Sequence, residues 1–66
     1  MTTEQLVESA LRKYPKAKRI AVENFCFSCE DIDKSVNYHN LLADARSYKW
    51  NLHTVNAIKM VIGNQN

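Results

Sequence analysis

The sequence predicts an all-α fold, a small bundle of three or four short helices around one core. Apolar residues recur at helical spacing through most of the chain, helix-capping residues precede those runs, and 66 residues contain only one Gly and one Pro to interrupt them. A chain this short forms one domain and buries only about 60% of the surface its unfolded form exposes. Its core contributes about 3–5 kcal/mol, which makes a homodimer an expected form. The expected organisation is one helical domain over residues 1–62 and a polar C-terminal tail over 63–66.

The first helix begins at Thr2-Thr3-Glu4-Gln5, which fits a capping box: a Thr hydroxyl accepts from a backbone donor three residues on, and Gln5 reaches back. Leu6, Val7, Ala10, Leu11 and Tyr14 share one side, opposite Glu4, Glu8 and Arg12. Pro15 ends or redirects this helix because it lacks a donor and biases Tyr14 away from helical angles.

Residues 19–27 fit two templates. As a helix they put Ala21, Val22, Phe25, Cys26 and Cys29 on one face and leave Ile20 and Phe27 off it. As a strand they put Ile20, Val22 and Cys26 together, with Asn24 and Ser28 breaking the alternation. The early Ala, Lys, Arg and Glu favour the helix, with Pro15 suited to its first turn. A new start follows, with Asp31 as N-cap and Asp33 in the first turn of a helix expected over 32–49. Val36, Tyr38, Leu41, Leu42, Ala43, Ala45 and Tyr48 cover well over half its circumference, and Asn37, Asn40, Asp44 and Ser47 mark the exposed strip. A helix this apolar is expected at the bundle centre or in a dimer interface. Asn51 caps the last helix and Gly63 terminates it, with Val55, Ile58, Val61 and Ile62 on one face and Leu52, His53, Asn56 and Met60 on the other.

Net charge is +2, but it is unevenly spread. Arg12, Lys13, Lys16, Lys18 and Arg19 form a basic cluster, and Glu23, Glu30, Asp31 and Asp33 an acidic one. Such blocks are solvated faces, surfaces that pair between subunits, or a footprint for an anionic partner. The start MTTEQLVESALRKY lacks the basic, apolar and small-residue segments of a secretory signal, so a cytoplasmic protein is expected. No apolar run approaches the roughly 18 residues of a membrane span, and no membrane partner is expected.

The stretch Ala45-Arg-Ser-Tyr-Lys-Trp-Asn-Leu-His-Thr-Val-Asn-Ala-Ile-Lys carries the sharpest functional signal. Ala45 supplies the small residue where two helices cross; Tyr48 and Trp50 before the turn, with Val55 and Ile58 after it, supply the apolar lock. Over about twenty residues this spacing resembles the helix-turn-helix of phage-type repressors. Lys49 departs from it by standing where a glycine often makes the turn, and Leu52, Ala57 and Met60 are expected on the outer face, where they read bases poorly. The resemblance implies duplex DNA as partner. His53 and Asn56 then face bases and Asn51 lies with them at the DNA, while Lys49, Lys59 and the cluster Arg12, Lys13, Lys16, Lys18 and Arg19 take phosphates. A strand over 19–27 would instead give an order that resembles ribbon-helix-helix proteins, but Glu23 and Phe25 facing DNA weigh against it.

The competing expectation is a homodimeric or hetero-partnered protein-interaction module or inhibitor using Tyr38, Leu42, Trp50, Leu52 and Met60. Cys26 and Cys29 form a lone CxxC that, with His39 and His53, has the ligand types but not the spacing of a zinc site. Both are read as small core hydrophobes, and no metal or cofactor is expected. His39 is expected packed or at an interface, and His53 exposed. No phosphate loop or nucleophile setting is present, so the expected role is regulatory and non-catalytic.

Overall fold

A computed structural model describes residues 2–65; the first residue of the expected domain and the last of the expected tail lie outside them. Among the described residues the fold is all-helical, with α1 (Thr3–Lys13), α2 (Arg19–Ser28), α3 (Lys34–Ser47) and α4 (Leu52–Asn64).

The capping box at the start of α1 forms as expected. The Gln5 N–H donates to Thr2 Oγ1 at 3.2 Å, and the Thr2 N–H donates to Gln5 Oε1 at 2.9 Å. Leu6, Val7, Ala10 and Leu11 are buried. The segment 19–27 is helical, and its faces divide as the helix template requires. Val22, Phe25 and Cys26 are buried, whereas Ile20 and Phe27 are 75% and 44% exposed. Pro15 lies in the turn before α2 and not in its first turn, because the chain first settles against α4: the Lys18 N–H donates to Thr54 Oγ1 at 2.9 Å.

The N-cap of α3 is Asp33, not Asp31; its Oδ1 accepts from the Ser35 N–H at 2.8 Å. The helix is correspondingly shorter at both ends than the expected 32–49. Asn37, expected in the exposed strip, is buried, with Nδ2 donating to the carbonyls of Cys29 at 3.1 Å and Ile32 at 3.2 Å. That amide closes the α2–α3 loop, an internal duty that hydrophobic periodicity does not register. Only Asn37 and Leu41 of α3 are buried, while Val36, Tyr38, Leu42 and Tyr48 are exposed.

α4, not α3, is therefore the centre of the bundle. α1, α2 and α3 all pack against α4, α1 also packs against α2, and α3 rests chiefly on α4 alone. Thr54, Ala57, Ile58, Val61 and Ile62 span the arc of α4 needed to meet three neighbours. Ala57 belongs to this core and not to the outer face, since its methyl is small enough to let another helix approach. α4 continues through Gly63 to Asn64, with Gln65 as its C-cap, so Gly63 and Asn64 are helix and not tail.

The turn from α3 to α4 has the 6→1 hydrogen bond and the left-handed residue of a Schellman-type ending. The Tyr48 N–H donates to the Asp44 carbonyl at 2.8 Å, and the Trp50 N–H donates to the Ala45 carbonyl at 3.1 Å. Lys49 between them has φ 52°, the left-handed conformation that a glycine would adopt more cheaply. Trp50 is thereby carried back over the core, with its ring edge-on to Phe25 at 5.9 Å between centroids. Tyr48, expected to lock the crossing, is 66% exposed and instead stacks on Trp50 from outside.

Candidate nucleic-acid interface

Two segments far apart in sequence meet at the N-terminal end of α4. Asn51 Oδ1 accepts from the Thr54 N–H and the Thr54 hydroxyl, each at 2.8 Å, and Asn51 Nδ2 donates to the Lys16 carbonyl at 3.2 Å. The Thr54 hydroxyl also accepts the Lys18 N–H. Residues 16–18 are thus stitched to the start of α4 by two cross-chain hydrogen bonds. Lys16 and Lys18, both exposed, stand beside the first turn of the helix that carries His53 and Lys59, also exposed, and Asn56, half-buried. Lys49 is exposed in the turn immediately before.

This geometry rearranges the expected site. Asn51 is exposed, but its amide is committed to the cap and to the linker, so its polar atoms are not free to read a base edge. Arg19 leaves the basic cluster: its guanidinium bonds the Glu8 carboxylate at 2.9 Å and lies 3.7 Å from Glu23. The hydrogen bond and charge of Glu8 raise the Arg19 pKa, and the same pair lowers that of Glu8. Arg12 and Lys13 are exposed in the last turn of α1, where they complement the helix dipole, and the Lys13 ammonium lies 5.9 Å from the Tyr14 ring centroid. The structure thus brings Lys16, Lys18, Lys49 and the start of α4 together, leaves Arg12 and Lys13 at the end of α1, and engages Arg19 elsewhere.

The residues expected at a protein interface also divide. Leu52 and Leu42 are 71% and 63% exposed, and Tyr38 is exposed to a lesser degree. Trp50 and Met60 are half-buried against the core, so much of their apolar surface is already used within the chain. His53 is exposed as expected; His39 is exposed and not packed within the chain, because α3 turns its Asn37–Leu41 side inward.

Cys26 and Cys29 are buried free thiols. Burial pushes the Cys26 thiol up to about 12. The Cys29 thiol is also raised, chiefly by burial with a smaller push from the Asp44 charge, against the lowering effect of Ser28. Both are held in the unreactive protonated form, as expected of core cysteines. Among the described residues, no three His, Cys, Asp or Glu side chains converge as a metal site would require.

Thr54 and a groove of about 420 Å³ are features that the sequence reading missed. Ala21, Asn24, Phe25 and Ser28 of α2 face Asp44, Tyr48 and Trp50 across that groove. The groove exists because α2 and α3 each pack on α4 without closing on one another. Its residues come from separate segments and share no motif; the Asn51-x-x-Thr54 cap, in contrast, is a local signal for Thr54.

No protein-family model, curated protein sequence or solved structure matches the chain. No helix is long and apolar enough to cross a membrane among the described residues.

Proposed function

We propose that the protein binds duplex DNA as a small non-catalytic regulator, through a helix-turn-helix-type corner in which α4 is the reading helix. The observation that carries this reading is the pair of hydrogen bonds tying the Lys16–Lys18 linker to Asn51 and Thr54, which gives the start of α4 a fixed basic flank. Lys16, Lys18 and Lys49 would engage phosphates around that helix end, where free backbone donors and the helix dipole also favour anions. Lys59 adds a fourth phosphate contact, and His53 and Asn56 supply the donors along the outer face of α4. This is a sparse set for direct readout, and it fits affinity dominated by phosphate contacts.

The test is fluorescence anisotropy of labelled random duplex across a salt series. Four lysines on phosphates predict a slope of about −3 to −4 in log K against log salt, from about −0.9 per phosphate. Lys16→Gln with Lys18→Gln should remove about half of that slope, whereas Arg19→Gln should leave it nearly unchanged. Absence of binding at low salt rejects the reading.

A second reading, a homodimeric or hetero-partnered interaction module, is favoured by the exposure of Leu52 and Leu42. It uses apolar surface and predicts association that survives high salt.

A further inference from the structure

The groove between α2 and the α3–α4 turn is chemically unlike the rest of the surface. Phe25, Trp50 and Tyr48 provide three aromatic rings along it, with Phe25 edge-on to Trp50 and Tyr48 stacked on Trp50 with their planes 25° apart. Beside them stands Asp44, one turn before Tyr48 on α3 and half-buried. The groove lining contains this one carboxylate and no Lys or Arg. Asp44 also has no ion-pair or side-chain hydrogen-bond partner among the described residues, although the chain carries nine Lys and Arg in all. Across the groove the Ser28 hydroxyl donates to the Phe25 carbonyl at 2.9 Å, which leaves its oxygen able to accept, and Asn24 adds an exposed amide oxygen.

Aromatic faces, one uncompensated carboxylate and further acceptors are the complement of a flat organic cation. Ring quadrupoles attract a cation laid over them, and a guanidinium can stack on a ring while its fork of N–H donors meets a carboxylate. The volume of about 420 Å³ lies within the range of small-ligand clefts. We propose that this groove is a docking site for an arginine side chain of a partner polypeptide, with Asp44 accepting from the guanidinium and Tyr48 and Trp50 forming the stacking wall. The site is separate from the basic flank of α4 and does not depend on DNA binding: it takes a cation where the other takes an anion.

Trp50 is the sole tryptophan and lines the groove, so its emission reports occupancy directly. The full chain is titrated with acetyl-Gly-Arg-Gly-amide and with the same peptide carrying citrulline, which keeps the planar shape but puts a carbonyl oxygen in place of one guanidinium nitrogen, and so loses the charge and one arm of the donor fork. The arginine peptide should shift Trp50 emission saturably, and the citrulline peptide should bind about tenfold or more weakly, as expected for loss of a charge-assisted contact. Asp44→Asn should weaken the arginine peptide by a similar factor, and Tyr48→Ala, at a site 66% exposed, should weaken it without unfolding the chain. Equal binding of the two peptides, or no saturable change with the arginine peptide, overturns the proposal, and both results are read on the unmodified protein.

Discussion

Three side chains show how far single residues control this molecule. Asn37 Nδ2 holds two loop carbonyls, while its buried Oδ1 has no partner among the described residues. Asn37→Ala should cost about 1–3 kcal/mol in urea denaturation, because the α2–α3 loop loses a donor shared by one buried and one part-buried carbonyl; Asn40→Ala on the same helix should cost far less. Lys49 occupies the left-handed region, so Lys49→Gly should stabilise the chain by about 0.5–1 kcal/mol and Lys49→Val should destabilise it. If Lys49 contacts phosphate, the glycine variant separates the two quantities, with stability rising as DNA affinity falls. Cys26 adds a pH dependence. Its folded pKa of about 12 lies above its ordinary value of 9.0, so the stability from burying the neutral thiol is fully present below pH 9 and is lost as the pH climbs toward 12. Glu8 runs the other way: its lowered pKa favours the fold above the ordinary carboxylate range and loses that contribution in acid. Urea midpoints measured across pH should therefore fall at both extremes, and Cys26→Ala, though less stable overall, should flatten the alkaline limb.

At the scale of elements, the N-caps of α1 and α4 were legible, whereas the start of α3, the end of α4 and the packing duties were not. Thr2 with Gln5, and Asn51 with Thr54, are local patterns because a cap and its partner lie within one turn. The Thr54 hydroxyl does more: it accepts from the Lys18 N–H, and so joins the start of α2 to the start of α4. Thr54→Val keeps the shape and removes the hydroxyl, leaving a backbone donor without its acceptor at a cost of about 1–3 kcal/mol. Hydrogen exchange at the Lys18 amide should accelerate more in this variant than exchange in the middle of α1. Unchanged protection at Lys18 would mean that the linker is held by something other than this bond. α3 illustrates the opposite limit of sequence reading. Its apolar residues were recognised, but their periodicity covers so much of the helix that it does not choose a buried side; the polar Asn37 made that choice through loop carbonyls lying outside the helix.

For the whole molecule, three helices surround α4, leaving apolar residues on α2 and α3 in solvent. Leu42 and Leu52 are exposed enough that Leu42→Lys with Leu52→Lys should change folding stability by no more than about 1 kcal/mol. Sedimentation equilibrium of the unmodified chain and this variant then tests self-association cleanly. A dimer lost in the variant supports the interaction reading, and a monomer in both rejects the homodimer. Much of the architecture was accessible before any packing was known. A count of three or four helices, their approximate limits, the capping box and the costly backbone position at Lys49 follow from interactions within a turn or two of chain, and those interactions are written in neighbouring residues. The central place of α4, the burial of Asn37, the pairing of Arg19 with Glu8, the basic flank at Lys16–Lys18 and the groove beside Asp44 depend on segments that meet only after folding. Their partners lie up to tens of residues away, at no fixed spacing, so charge runs and periodicity carry no record of which surface each side chain finally shares.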